Sequence, residues 1–64
     1  MKNNIKTLRK QLGFRQEDLA NALNVTRQTI NAIENNKYNP TLELAMKLAR
    51  VLNTTVDQLF ILND

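Results

Sequence analysis

Apolar residues in this chain recur three or four positions apart only in short bursts, and each burst is closed by a glycine or an asparagine. Ile5, Leu8 and Leu12 run up to Gly13; Leu19, Ala20 and Leu23 to Asn24; Ile30 and Ile33 to Asn36; and Leu44, Ala45, Leu48, Ala49 and Leu52 to Asn53. That spacing lays one apolar stripe along a helix. Glycine, and next to it asparagine, enters the left-handed backbone region that commonly ends one. The pattern therefore predicts helices over about residues 4–12, from near Gln16 to Asn24, over roughly 27–35, and from a Thr41 cap to Leu52. A last short helix follows, capped by Thr55 and carrying Val56, Leu59 and Phe60.

Other residues agree with these boundaries. Thr26 and Thr41 are N-cap types. Glu17, Asp18, Glu43 and Asp57 put negative charge in first turns, where exposed amides and the helix dipole favour it, and Lys47 and Arg50 lie toward the end of the fourth helix. Phe14, just past Gly13, can fold back on the first apolar face. Pro40 biases Asn39 away from helix, so 35–40 reads as a polar loop. The short connection between the second and third helices forces them to cross around a small residue, which suits Ala20. The expected fold is an all-α, compact bundle of five short helices in a single domain, residues 1–64, with no repeat or linker.

Sixty-four residues without cysteine or histidine leave few other options. A chain this short buries only about 60% of its unfolded surface, so a deep catalytic cleft is not expected. Of the six acids, Glu17, Asp18, Glu43 and Asp57 are accounted for by helix starts and Asp64 is terminal; Glu34 alone remains, and one carboxylate makes no pair of general base and nucleophile. Gly13 is the only glycine, so no phosphate-binding glycine loop exists. The reading is a non-enzyme with no cofactor, no metal and no inferred small-molecule ligand. Lack of thiols, of an export signal and of a long apolar run predicts a soluble cytoplasmic protein that does not enter the membrane. The net charge is +3, and Lys2, Lys6, Arg9, Lys10 and Arg15 all precede the first acid, Glu17. Such a block favours a polyanion, although a solvated helix face has the same composition.

The stretch QEDLANALNVTRQTINAIENN, residues 16–36, followed by KYNP, resembles the helix-turn-helix of Cro/CI-type regulators, the Xre family. The likeness covers about residues 5–60, and the whole chain is similar to the family's short homodimeric members. Asparagine replaces the family's frequent glycine at 24, 36 and 53, a tolerable exchange for a left-handed position. The resemblance implies a lambda-repressor-like fold and a dimeric partner of double-stranded DNA. It further implies that Gln16 donates to a phosphate while buttressing the third helix, and that Arg9 and Glu34 form a partly buried ion pair. By the same likeness, Phe60 to Leu62 is expected to extend as a strand against Met1 and Lys2.

Independently of any resemblance, the third helix carries base-reading chemistry. With Ile30 and Ile33 turned inward, Arg27, Gln28, Thr29 and Asn31 lie on or near its outer side. Arg can grip guanine O6 and N7, Gln or Asn can pair with adenine, and Ala32 can touch a thymine methyl; the alternative is a generic polar face. Thr26, Thr29, Asn35, Lys37 and Tyr38 flank this helix as phosphate donors. For Tyr38, packing against the fourth helix is an equal alternative, and for Lys37 plain solvation. One reading helix touches few base pairs, so a homodimer on a two-fold operator is expected. Val56, Leu59, Phe60, Ile61 and Leu62 supply the apolar end for it, unless they merely plug the core. A protein-holding adaptor is the competing reading of the same bundle.

Overall fold

The computed structural model describes residues 1–62, so Asp64, the terminal acid, lies outside the described residues. Its elements in chain order are β1 (Lys2–Asn3), α1 (Ile5–Gln11), α2 (Gln16–Leu23), α3 (Arg27–Glu34), α4 (Leu42–Val51), α5 (Val56–Leu59) and β2 (Phe60–Ile61). Among the described residues five helices stand where the apolar bursts predict them, the first four closed as their sequence suggests and α5 running directly into β2. Gly13, Asn24, Asn36 and Asn53 all take positive φ, at 79°, 56°, 60° and 57°. Past Gly13 the chain turns so that the Phe14 amide donates to the Arg9 carbonyl at 2.9 Å, which lays Phe14 against the core.

Asn24→Ala is expected to destabilise the fold by about 1 kcal/mol while Asn24→Gly stays near neutral, because only the alanine resists a left-handed backbone. Urea unfolding of the two variants checks this; equal losses would mean that backbone conformation is not what selects the residue.

The side chains of Ile5, Leu19, Ile30, Ile33, Leu48 and Leu59 are almost completely enclosed and form the centre of the core. All five helices contribute. Small residues permit the close approaches: Ala20 of α2 is 2% exposed, and its carbonyl accepts from the Val25 amide at 3.0 Å in the turn before α3. Thr26 and Thr41 cap α3 and α4, each hydroxyl oxygen accepting a backbone N–H at 3.2 Å, from Thr29 and Leu44. Thr55 differs from its expected role. Its backbone is extended as at an N-cap, but its side chain makes no cap bond; neighbouring Thr54 instead donates to Gln58 Oε1 at 3.3 Å.

The termini meet in a two-stranded antiparallel ribbon. Lys2 pairs with Ile61 and Asn3 with Phe60, one position along from the expected partners Met1 and Lys2. The shift follows from a local anchor: the Asn4 amide donates to the Leu59 carbonyl at 2.9 Å, which fixes the register where α5 ends. Among the described residues no helix is long and apolar enough to cross a membrane, and no cluster of acids could hold a metal ion.

Candidate nucleic-acid interface

The rotation of α3 about its own axis is set by Ile30 and Ile33, each 1% exposed. Three positions apart, they hold one face of the helix against the core, so Arg27, Gln28 and Asn31 emerge on the opposite side and line one surface depression. Ala32 and Thr29 are half-buried at the edges of that face. Among the described residues neither Arg27 nor Lys37 pairs with a carboxylate, so both cations remain available to an anionic partner.

Both ends of α3 are fastened. At the start, the Thr26 and Thr29 hydroxyls lie 3.0 Å apart while Thr26 caps the helix. At the other end stands a buried ion pair. Arg9 Nε donates to Glu34 Oε2 at 2.7 Å and Nη2 to Oε1 at 3.2 Å, a two-pronged grip with the side chains 8% and 2% exposed. The same guanidinium donates to the Phe14 carbonyl at 2.9 Å, and Gln16 Nε2 donates to Glu34 Oε1 at 3.0 Å. Glu34 thereby ties the end of α3 to α1 and to the first residue of α2, and every buried polar side-chain atom in the described residues has a partner.

The flanking residues divide into two groups. Asn35 Nδ2 donates to the Asn31 carbonyl at 2.8 Å and to Asn31 Oδ1 at 3.2 Å, so it is held along the exposed Asn31 side chain. Gln16 directs its amide inward to Glu34. The backbone amides of Asn35, Asn36 and Lys37 are taken by α3 carbonyls at 2.9–3.1 Å. The Lys37 ammonium and the Tyr38 hydroxyl are both on exposed residues. The N-terminal basic block is partly neutralised. Arg15 lies 3.1 Å from Asp18 and 3.4 Å from Glu17, and hydrogen bonds from its side chain and then its backbone N–H hold the Asp18 carboxyl below the ordinary range. Glu43 is lowered too, by the Lys47 ammonium 2.9 Å away.

The apolar end is larger than the C-terminal residues suggest. An open groove of ≈ 760 Å³ runs between the ribbon and α4, lined by Met1, Pro40, Leu42, Val56, Phe60 and Leu62 among others. Leu42 and Leu62 are 72% and 77% exposed, Ile61 is exposed, and Val56 and Phe60 are half-buried. Leu59 is a correction: wholly enclosed in the core, it offers no surface to a partner, because the last turn of α5 points it inward. Met1, Pro40 and Leu42 were missed by the sequence reading. Leu42 carried a signal, since it stands off the buried stripe of α4 and shares a face with the exposed Met46 four residues on.

A helix-turn-helix family model matches residues 5–59. An uncharacterised HTH-type transcriptional regulator of Archaeoglobus fulgidus is 45% identical over 64 residues, covering all of this chain and 91% of the relative. Among solved structures, a hypothetical transcription factor, NHTF, from Neisseria superposes with a TM-score of 0.79 at 29% identity, over 86% of this chain and 62% of that one. The biofilm master regulator SinR, in complex with DNA, superposes with a TM-score of 0.73 at 32% identity, over 81% of this chain and 84% of that one.

Proposed function

Since this chain belongs to the Xre family of helix-turn-helix transcriptional regulators, we propose that it is a repressor binding a two-fold symmetric operator as a homodimer, with α3 in the major groove. The observation that carries this reading is the polar but scarcely charged face of Arg27, Gln28 and Asn31, backed by Ile30 and Ile33 and clamped at both ends. A rigid helix presenting hydrogen-bonding side chains can discriminate base edges, because a helix that rocked would satisfy several sequences equally. Ala32 stands at the edge of that face for a thymine methyl.

Thr26, Thr29, Lys37 and Tyr38 would meet the sugar-phosphate ridges on either side, with Gln16 and Asn35 acting chiefly by holding α3 and Asn31. Repression follows from occupancy: a dimer seated across a promoter blocks polymerase. The apolar groove, with Val56, Phe60, Ile61 and Leu62, supplies the surface for the second protomer.

Selection of bound duplexes from a random pool, followed by titration at several salt concentrations, tests the reading. Affinity must fall as salt rises, because phosphate contacts release counterions; salt-insensitive or absent binding would favour an adaptor that uses the groove to hold another protein. Arg27→Ala is expected to cost about 1–3 kcal/mol and to relax base preference at one position of each half-site. Lys37→Ala should weaken all sequences alike and flatten the salt dependence. A uniform loss for Arg27→Ala would reassign that side chain to the phosphates.

A further inference from the structure

The side chain of Asn3 connects two parts of the protein that the chain order keeps far apart. Its Nδ2 donates to the Ile33 carbonyl at 2.8 Å and to Asn36 Oδ1 at 3.2 Å, across 30 and 33 residues, while its Oδ1 accepts the Ile5 amide at 3.2 Å. Ile33 lies in the last turn of α3, and its carbonyl also accepts the Asn36 amide at 3.1 Å, so Asn3 joins the hydrogen bonds that close the helix. Asn36 holds the left-handed turn that ends the helix, with φ 60°. One half-buried carboxamide therefore grips the end of the reading helix and the start of α1 together.

The backbone of Asn3 belongs to the other end of the molecule. It pairs with Phe60 in the ribbon, and the next residue ties that ribbon to α5 twice, the Asn4 amide to the Leu59 carbonyl and Asn4 Nδ2 to the Gln58 carbonyl at 3.1 Å. Met1, Phe60, Ile61 and Leu62, which wall the apolar groove, sit on this ribbon or directly beside it. A second protomer seated on the groove would press on the ribbon as well as on Leu42 and Ala45 of α4. Asn3 is the side-chain bond leading from the ribbon to α3, whereas the Glu34 cluster ties α3 to α1 and α2 on its own account.

We infer that Asn3 is a positioning residue that couples the dimer end of the protein to the angle of α3, so that pairing of protomers sets the separation of the two reading helices. The inference rests on the homodimeric DNA-binding reading. Two reading helices contact both half-sites only if their separation and tilt match one turn of the duplex, and a hydrogen-bonded link transmits that match better than apolar contact, since it is directional. Asn3 touches no base and no phosphate in this scheme. Its effect is confined to how well two half-sites are engaged at once.

The experiment uses the full chain and the duplex that the wild-type protein selects, together with the same duplex carrying one base pair inserted at its centre and a duplex with a single half-site. Loss of neutral hydrogen bonds in Asn3→Ala is expected to shrink the preference for correct spacing about five- to tenfold, with single-half-site affinity held to about twofold. Asn36→Gly keeps the left-handed turn and removes only the 3.2 Å acceptor, so it should give a smaller reduction of the same kind without a threat to folding. Circular dichroism at the assay temperature shows that the variants are folded; if Asn3→Ala is not, Asn36→Gly alone decides. Wild-type spacing preference in the folded variants, or equal loss on all three duplexes, overturns the inference. If the wild-type protein itself shows no spacing optimum, the homodimeric reading fails instead.

Discussion

Glu34→Ala is expected to lower the stability of the fold by about 3–5 kcal/mol, the cost of leaving a buried charge without its partner. The Arg9 guanidinium would keep only the Phe14 carbonyl, in a position where its side chain is 8% exposed and reached by little water. Gln16 would lose its acceptor as well. Small domains have little stability to lose: at about 0.05–0.15 kcal/mol per residue, a loss of this size approaches the whole. In thermal unfolding each kcal/mol corresponds to about 4–8 °C for a domain of this size, so the melting temperature should drop by well over 10 °C. A shift of the kind seen for an exposed pair, about 1 kcal/mol or less, would remove the cluster from its place as the clamp of α3. Replacing both charges with apolar residues, Arg9→Met with Glu34→Leu, should recover much of the loss, because neither charge then needs a partner. It should not recover operator affinity fully, since directional bonds to Gln16 and Phe14 would be gone.

Leu42→Glu should leave the isolated protomer folded yet reduce operator affinity by at least about a hundredfold, the scale on which linking two binding events raises affinity over one. Leu42 is 72% exposed, so the substitution takes little from the core. In an assembled pair the same position would sit within the groove, and a carboxylate there would be taken out of water against its apolar lining. Leu62→Glu, on the opposite wall, should act alike. An interface of about 800 Å² per protomer, the usual size for a stable pair, would cover roughly a sixth of the 4518 Å² surface. For so small a protein that is a large share, and one introduced charge should therefore be felt. Sedimentation equilibrium gives the state of assembly and titration against the selected operator gives affinity; an unchanged dimer with full affinity would move the interface elsewhere.

The two predictions probe sites that were unequally visible beforehand. Arg9 and Glu34 sit 25 residues apart, and composition or periodicity alone would class both as surface charges. Only the resemblance joined them. The groove shows the opposite case. Apolar residues near the C-terminus were conspicuous, but the sequence could not divide them between core and surface, so Leu59 was assigned outward although it is enclosed. Periodicity fails in a helix of a single turn, where too few residues exist to define a face.

What the residues decided by themselves was local. Apolar residues three or four positions apart fixed the first four helices, threonines fixed two of their beginnings, and Gly13, Asn24, Asn36 and Asn53 fixed the left-handed turns, because each depends on conformational preferences within a few residues. The outward chemistry of Arg27, Gln28 and Asn31 followed from Ile30 and Ile33 for the same reason. Assembly decided the rest. Which asparagine bridges the ribbon to α3, and how Met1, Leu42 and Leu62 come to share one groove, depend on contacts between segments distant along the chain. Such contacts carry no period and no signature, since they exist only once the core has placed the helices against one another.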